Sequence, residues 1–550
     1  MTEPVDVLIV GAGPTGLTLA AQLQAFGTVF RLIDRQLDRV HESRALAVQP
    51  RTLEVLGGLG LADAMVERGN PTVDLEVHGR RRTTRAPLFD IGLDDTRFPF
   101  LLFLSQAETE AILGEHLTIG GATIERGVEL VGLAQYSDHV ACTLRHRDGH
   151  TEQVGARYVV GCDGAHSAVR RLAGIGFTGA AYPQTFVLAD LDVDGPTVGA
   201  AHGYLSAEGL LFLFPLGRPA PWRMLVMAPR SATESADEPP GLDELQAFAD
   251  SYTGAAAQLH DPVWSTYFRI HHRHATHYRR ERAFLAGDAA HIHSPAGAQG
   301  MNTGIQEAWN LGWKLAVVVA GEAPDDLLST YETERMPVGR YVLRFTDRAF
   351  RIATSTNPVI RLLRTRLAPD LVRLGLSSRR GRALAFRSLS QLAINYRQSP
   401  TSQEGRPRLR GGAQAGDRLP DAPVSPYGRP PTTLHQVLVP ARFQLLLTGP
   451  PHAWTTGVAG LDQLPRPRVV VHRLAHEPRP GALHDTGRKA HERLGVVGAG
   501  ATGHHLIRPD GHIAYRAAGD DLAGLDRYLT RWTLSHRYPP PADEPLGRSP

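Results

Sequence analysis

The stretch Gly11-Ala-Gly13-Pro-Thr-Gly16 constrains this chain more than any other, because of what stands on either side of it. Val5 to Val10 before it is apolar apart from Asp6 and reads as a strand. Pro14 to Phe26 after it carries helical periodicity and stops at Gly27, and Val29 to Asp34 is again mostly apolar and ends in an acid. Strand, glycine turn, helix, strand and terminal acid, in that order, make the βαβ unit of a dinucleotide fold. Gly11 permits the tight turn, Gly13 lets the backbone approach a pyrophosphate, and Gly16 lets helix and strand pack closely. The helix N-terminus stabilises phosphate charge, and Asp34 can accept hydrogen bonds from ribose hydroxyls. Pro14, Thr15 and Arg35 lie in the same turn and strand end and are assigned to the cofactor site with them.

The chain also carries a decoy. Gly498-Ala-Gly500-Ala-Thr-Gly503 matches the bare glycine spacing, but a hairpin-like segment with Asp510 and Gly511 at its turn follows it, so no phosphate-binding helix is available there. The glycine pattern alone leaves NAD and FAD open.

At 550 residues the chain exceeds one hydrophobic core, and roughly 150 residues per domain suggests about three units. A formal charge of +3 with scattered basic residues, and no arginine stripe interleaved with aromatics, argues against a nucleic-acid partner. Cys142 and Cys162 are too few for a disulfide framework or a four-thiolate metal site. Met1 to Asp6 lacks the basic region of a secretory signal, and Leu315 to Ala320, the most apolar helical stretch, is far below a membrane span. A cytoplasmic protein without a membrane partner is expected.

Ala156 to Asp163 and Ala283 to Asp288 read as two further strands of the first sheet, each ending in an Asp beside a Gly. The expected fold is α/β. A Rossmann-like domain is assembled from residues 1–71, 105–179 and 278–345, and an antiparallel-sheet domain is inserted as 72–104 and 180–277. Strands are expected at Leu210 to Leu216 and Trp222 to Met227. Residues 346–404 read as helical, with Pro337 and Pro358 as interruptions of the surrounding pattern, and the breaker-rich run Gly405 to Gly416 reads as a linker and domain boundary. A third α/β unit follows over 405–538, with strands at Phe443 to Leu447 and Val469 to Leu474 and a hairpin over Leu506 to Arg516. The Pro-rich tail 539–550 reads as disordered.

Three further motifs decide between NAD and FAD: Ser43-Arg44-Ala-Leu with Arg51-Thr-Leu-Glu54, then Cys162-Asp163-Gly164-Ala-His-Ser167-Ala-Val-Arg170, then Gly287-Asp288-Ala-Ala-His291-Ile-His-Ser-Pro295-Ala-Gly297-Ala-Gln-Gly300-Met-Asn302. In order and spacing the chain resembles the single-component FAD monooxygenases of the para-hydroxybenzoate hydroxylase type, over about Val5 to Arg344. Gln106 with Glu110 and Leu113 adds a weaker match. The resemblance implies that Asp288 binds the ribityl chain, that Arg44 and Gln106 contact the pyrophosphate and ribityl region, and that Asp163 and Gly164 serve both FAD and a nicotinamide dinucleotide, NADPH or NADH. Val131, Pro295, Gly297, Gly300, Met301 and Asn302 join the expected cofactor set. The last four precede or begin an apparent helix whose N-terminus would face an anionic reduced flavin. Ala298 stands where the family more often has Gly, and Glu307 where it has Asp. Ala298 would be uncomfortable if its position needs a positive φ.

The C-terminal part, with Gly416-Asp-Arg-Leu-Pro-Asp421 and Leu506 to Arg516, resembles the thioredoxin-like domain of phenol and polyketide hydroxylases. No CxxC occurs, so dithiol chemistry there is excluded and a structural or homodimer-forming role is expected. The histidines His271, His272, His274, His277, His291 and His293 invite a metal, but four lie along one strand and two inside the flavin motif. No metal is expected.

The resemblance implies hydroxylation of a phenolic or polycyclic aromatic through a flavin C4a-hydroperoxide, with the flavin performing the difficult chemistry. No catalytic acid or base is named; His293 and Pro295 are the weak candidates. Phe98, Phe100, Phe103, Phe212, Phe214 and Trp222 are the expected apolar walls for the substrate, with core packing as the competing role of each. Two other readings remain open: Baeyer–Villiger oxygenation of a polycyclic ketone, and a non-catalytic flavoprotein that sequesters an aromatic small molecule. A flavin halogenase is disfavoured by the lack of a Trp-x-Trp-x-Ile-Pro segment.

Overall fold

Val7, Leu8 and Ile9 are wholly buried, as befits a strand covered on both faces, and they form the middle of a parallel sheet. A computed structural model of the chain describes residues 5–39, 45–78, 83–87, 92–206, 209–218, 220–228, 238–294, 297–354, 357, 379–454, 469–498 and 500–533. Arg44, Pro295, Pro358 and the tail 539–550 lie outside the described residues.

The parallel strands run in the order Ala283–Leu285, Thr151–Gly161, Val5–Val10, Phe30–Asp34, Ile124–Arg126. Val7 faces Tyr158 on one side and Phe30 on the other. A hairpin of Val128–Gln135 and Val140–His146 extends from the strand Thr151–Gly161. The helix Pro14–Phe26 returns between the first two strands and ends on Gly27, whose φ of 73° makes the left-handed stop. It packs against the buried helix Gly300–Val319. Leu17, Leu19 and Leu23 are buried in the core around this helix, each contributing about 1.5–3 kcal/mol.

The second sheet has the order His291–Ile292, Gln258–Ala275, Phe177–Asp194, Trp222–Met227, Leu210–Pro215, Ala200–Leu205, Asp74–His78, Thr83–Pro87. Its strand alternation sorts side chains onto two faces. Leu211, Leu213, Trp222, Met224 and Val226 pack with Leu245 and Phe248 of the helix Leu242–Thr253. Phe212, Phe214, Leu225, Phe268 and Ile270 face the other way, toward the first domain.

The third sheet runs Gln403–Glu404, Ile513–Ala518, Gly503–Ile507, Phe443–Thr448, Val469–Ala475, Leu483–Asp485, Pro423–Pro426, Thr432–Thr433. A parallel pair, Phe443–Thr448 with Val469–Ala475, adjoins the antiparallel hairpin turning at Asp510 and Gly511. This is the mixed sheet of a thioredoxin-like unit. Of the decoy glycines, Gly498 and Gly500 lie before the strand Gly503–Ile507 and Gly503 is its first residue.

Two expectations are corrected. Pro337 does not interrupt its helix, which runs from Asp326 to Thr354 straight through it. A proline in a helix forfeits one hydrogen bond, and burial of the flanking Met336 and Val338 holds the helix across the gap. Gly405 to Gly416 is not a tether either. Gly405 N–H donates to the Arg516 carbonyl, Ala413 N–H to Arg493 and Gly416 N–H to Ile513, and the Arg516 guanidinium pairs with Glu404 at 2.8 Å. The breakers in this run serve close docking: a Cβ on Gly416 would lie 2.4 Å from the backbone of Arg397.

The first and third sheets meet across a buried polar interface. Arg508 of the C-terminal hairpin pairs with Glu334 at 2.7 Å, Lys314 reaches Glu334 at 2.8 Å, and Asp510 receives Trp313 Nε1 at 3.3 Å and pairs with Arg508. Arg418 joins Glu54 at 2.9 Å and Asp95 at 2.5 Å. Burial pulls the Lys314 ammonium down to about 8, with Glu334 opposing the shift.

Candidate active site

Four strand ends meet at the carboxyl edge of the parallel sheet: Gly11 after the first strand, Asp34 at the end of the second, Cys162 and Asp163 after Gly161, and Asp288 in the 3-10 turn Gly287–Ala289. Chain direction changes sides of the sheet between Val5–Val10 and Thr151–Gly161, and such a switch point opens a crevice beyond the strand ends. Cys162 N–H donates to the Val10 carbonyl at 2.7 Å and seals the floor of that crevice.

The three glycines differ in what they permit. A Cβ on Gly11, whose φ is +106°, would strike the Cys162 carbonyl at 2.4 Å, and one on Gly16 would strike the Gly11 carbonyl at 1.9 Å. A Cβ on Gly13 would meet nothing within 4 Å, so its smallness serves no contact within the protein and leaves space beside the backbone. The helix that starts there has Gly13 as N-cap with no side-chain cap, so its first N–H groups point outward.

Two cavities follow this edge. A small one of about 190 Å³ lies among Gly11, Asp34, Arg35, Leu130, Asp163 and Ala168. A larger one of about 800 Å³ runs from Gly13, Pro14 and Thr15 past Gln106, Gly164 and Asp288 to Gly297, Gly300 and Met301. Cys162 and His166 border both. Asp34 accepts from Ala12 N–H at 2.7 Å and Gln36 N–H at 2.8 Å, which fixes its carboxylate at the mouth of the small cavity. Asp163 Oδ2 accepts from Ala168 N–H at 2.6 Å, while its buried Oδ1 has no partner and awaits a donor. Burial pushes the Asp163 carboxyl up, with Ser167 and nearby backbone N–H groups opposing the shift. Burial also pushes the Cys162 thiol well up, so no thiolate nucleophile is available.

At the far end, the helix Gly300–Val319 opens onto the cavity with Gln299 as N-cap and no side-chain cap. Its loop is clamped from behind: Asn302 Nδ2 donates to the Ala47 and Ala298 carbonyls at 2.9 and 2.7 Å, and Asn302 Oδ1 receives Gln49 N–H at 2.8 Å. Ala298 has φ +52°, the left-handed conformation that suits glycine. Under the Asp288 turn, Glu307 accepts from Gly287 N–H and His291 Nε2, both at 2.8 Å. The longer acid reaches two donors at once, and Glu307, against burial, draws the His291 imidazole above its usual range.

The structure thus brings Gly11, Gly13, Pro14, Thr15, Asp34, Arg35, Gln106, Asp163, Gly164, Asp288, Gly297, Gly300 and Met301 to one edge. Gly16 stands behind it as a packing contact, Asn302 as the loop clamp, and Val131 at the irregularity beside Leu130. Of the expected aromatic walls, Phe103 and Phe214 line the large cavity with ring centroids 6.0 Å apart. Phe212 stacks on Phe214 just outside it. Phe98 and Phe100 pack edge to face in the first core. Trp222 faces the helix Leu242–Thr253 on the opposite side of the sheet, so strand parity makes it a core residue and not a cavity wall.

His293 lines the cavity, with Nδ1 2.9 Å from the Ser294 carbonyl and a buried Nε2 that has no partner. Burial first, and then His291, holds it down to about 4, so it is a neutral acceptor. Sequence reasoning missed Phe268, Ile270 and Leu389 as walls, and Gln391, which reaches Gln299 Oε1 at 2.6 Å behind the loop. Alternation along Gln258–Ala275 was the available signal for the first two; nothing local marks Leu389 or Gln391.

Such an edge, with an uncapped helix end at each extremity and a long cleft between, defines a dinucleotide-binding flavoprotein class whose cofactor lies along the strand ends. Residues 4–346 match the family described as FAD binding domain, and residues 413–534 the one described as aromatic-ring hydroxylase, C-terminal. The chain is 38% identical to 6-methylpretetramide 4-monooxygenase of Streptomyces rimosus, covering 99% of this chain and 96% of that one. It is 32% identical to pentachlorophenol 4-monooxygenase of Sphingobium chlorophenolicum, over 95% and 94% of the two chains. Among solved structures, the OxyS anhydrotetracycline hydroxylase from Streptomyces rimosus superposes with a TM-score of 0.76 at 31% identity, over 96% of this chain and 99% of that one. Aklavinone-11 hydroxylase with FAD and aklavinone gives 0.76 at 25%, with the same coverage. This chain belongs to the FAD-dependent aromatic-ring hydroxylases and is a monooxygenase.

Proposed function

We propose that the enzyme hydroxylates a phenolic polycyclic aromatic, using NADPH or NADH and dioxygen. The observation that carries this reading is the 800 Å³ cavity, which continues without a wall from the expected flavin end into the apolar face of the second sheet. FAD would fill the stretch from Gly13 to Gly300, and the apolar lining left beyond it, including Phe103, Phe214, Leu225, Phe268, Ile270 and Leu389, is an extended surface that suits a multi-ring substrate better than a single benzoate ring. Relatives named for 6-methylpretetramide and aklavinone support the same class.

Bound FAD supplies the acceptance of hydride and the activation of dioxygen at its C4a carbon. The protein's own groups do the rest. Phe103, Phe214, Phe268 and Ile270 exclude water and orient the ring system. His293 Nε2, neutral and unpartnered, offers an acceptor to a substrate hydroxyl. The end of the helix Gly300–Val319 favours negative charge beside it.

For the nicotinamide dinucleotide the supporting feature is a wall that carries Arg269 and Arg273. His166, Arg269, His271 and Arg273 line the cavity beside Gly164, and among the described residues no ion pair joins Arg269, His271 or Arg273 to a carboxylate. Burial lowers His271, and so do Arg273, His166, Arg269 and His272, which marks a surplus of positive charge suited to phosphates.

The test is oxidation of NADPH and NADH by the purified FAD-loaded protein, with and without polycyclic phenols, under labelled dioxygen. A phenol that accelerates oxidation and gains one labelled oxygen with its rings intact supports the proposal. Ring expansion to a lactone would favour the Baeyer–Villiger reading, and tight binding with no acceleration would favour sequestration.

A further inference from the structure

Glu76 and His78 project from one face of the strand Asp74–His78, and His202 projects from the neighbouring parallel strand Ala200–Leu205, where it pairs in register with Glu76. Strand alternation places all three side chains on the same side. His78 Nε2 lies 3.0 Å from His202 Nδ1, and Glu76 Oε2 lies 3.5 Å from His202 Nδ1 and 4.0 Å from His78 Nε2. These three atoms lie within 4.8 Å of one another, in a spot where the His202 side chain is 1% and the Glu76 side chain 11% exposed. Sequence reading did not single them out, because His202 lies 124 residues beyond His78, unlike the histidine run at 271–277.

Each of the three groups is held by its other end. His202 Nε2 is 3.0 Å from the Thr197 carbonyl, which can only accept, so Nε2 carries the proton and Nδ1 presents a lone pair. His78 Nδ1 is 3.2 Å from the Thr83 hydroxyl, which can give or take a proton. Glu76 Oε1 is 3.6 Å from Arg85 Nη1, which turns Oε2 toward the imidazoles. The His78 ring is further fixed by stacking on Tyr204 at 4.2 Å. Outer groups that set tautomer and orientation in this way accompany metal ligands.

A hydrogen bond from His78 Nε2–H to His202 Nδ1 would satisfy the two rings, but it leaves Glu76 Oε2 facing a lone pair at 3.5 Å, two acceptors with nothing between them. A cation resolves that opposition. We propose that Glu76, His78 and His202 form a binding site for a divalent transition-metal ion of zinc-like preference. Two imidazoles and one carboxylate are a donor set such ions favour, with the remaining positions open to water. Binding releases no net proton: the proton on His78 Nε2 moves by way of solvent to Nδ1, which then donates to Thr83, whose hydroxyl reverses. With metal–nitrogen bonds of about 2.1 Å, the observed nitrogen separation needs to open by only a few tenths of an ångström to reach tetrahedral geometry. The ion would clasp the ribbon of Asp74–His78 and Thr83–Pro87 to the edge of the substrate-side sheet.

The other such cluster among the described residues, His476, Asp485 and His491, is less suited. Asp485 there already accepts from Ala490 N–H, His491 N–H and His491 Nδ1.

The test uses full-length FAD-loaded protein, stripped with EDTA and titrated with ZnCl2 by calorimetry. One equivalent should bind with low-micromolar affinity or better. His202→Ala should weaken binding by about 100-fold and His78→Gln by about tenfold or more, while His476→Ala leaves the isotherm unchanged. Flavin content and circular dichroism check folding of each variant; if His202→Ala does not fold, the part-exposed His78→Gln decides alone. X-ray absorption at the zinc edge should show two imidazoles with oxygen. Wild-type binding weaker than about 100 μM, an isotherm unchanged in His78→Gln, or loss in His476→Ala would overturn the site. None of these outcomes depends on the reaction the flavin performs.

Discussion

Ala298 adopts φ +52° in the loop that closes the flavin end of the cleft, where a side chain costs about 1–2 kcal/mol relative to an unstrained backbone. Ala298→Gly should therefore stabilise the FAD-saturated protein by about 1 kcal/mol, after allowance for the greater freedom glycine has when unfolded. Urea midpoints of the two proteins check this, and an equal or lower midpoint for the glycine variant rejects the strain. The glycine turn supports a sharper contrast. Gly13→Val should fold and yet fail to retain FAD, because its side chain enters space that no protein atom uses. Gly16→Ala should lose folded protein altogether, since its Cβ would sit 1.9 Å from the Gly11 carbonyl. Absorbance at the flavin band beside circular dichroism separates the two outcomes, and a yellow Gly13→Val protein would remove that turn from the cofactor site.

At the scale of elements, the buried contact between the C-terminal hairpin and the helices Gly300–Val319 and Asp326–Thr354 is the most sensitive. Arg508→Met leaves Glu334 and Asp510 buried with their main counter-charge gone, and should cost about 3–5 kcal/mol. Unfolding should remain a single transition followed equally by flavin release and by circular dichroism; early, separate loss of the C-terminal part would mean the interface is dispensable. What could be read from sequence follows a physical divide. The glycine turn, the helix stop at Gly27 and the hairpin at Asp510 are local chemistry, carried by neighbours within a few residues. The continuity of the helix through Pro337, the docking of Gly405 to Gly416 and the face taken by Trp222 depend on distant partners, and no short window contains them. The site was legible to the same degree: Gly13, Asp163 and Asp288 sit in motifs and Phe268 on an alternating strand, whereas nothing near Leu389 or Gln391 marks them, and only the fold brings them to the cavity and its loop.

Across the whole molecule, buried neutral histidines set the acid limit. His293 and His512 are held down to about 4 and His505 to about 3, in each case chiefly by burial. Unfolded, each titrates near 6.5, so as pH falls below that value the unfolded chain binds protons the folded one refuses. Stability should decline from about pH 6.5 toward pH 4. His505→Leu removes one such group and should give a shallower decline over that window by denaturant titration; a parallel curve would show that His505 does not stay neutral. A different consequence attends the convergence of Gly11, Asp34, Asp163 and Asp288 on one edge. Those strand ends come from positions spread over more than half the chain, so the cleft exists only after the slow, long-range pairings have formed. FAD therefore rewards the finished sheet and nothing earlier, drawing late folding intermediates forward by mass action. Flavin supplied during refolding should then raise the yield of folded chain, while flavin added to the unfolded chain has no site to bind.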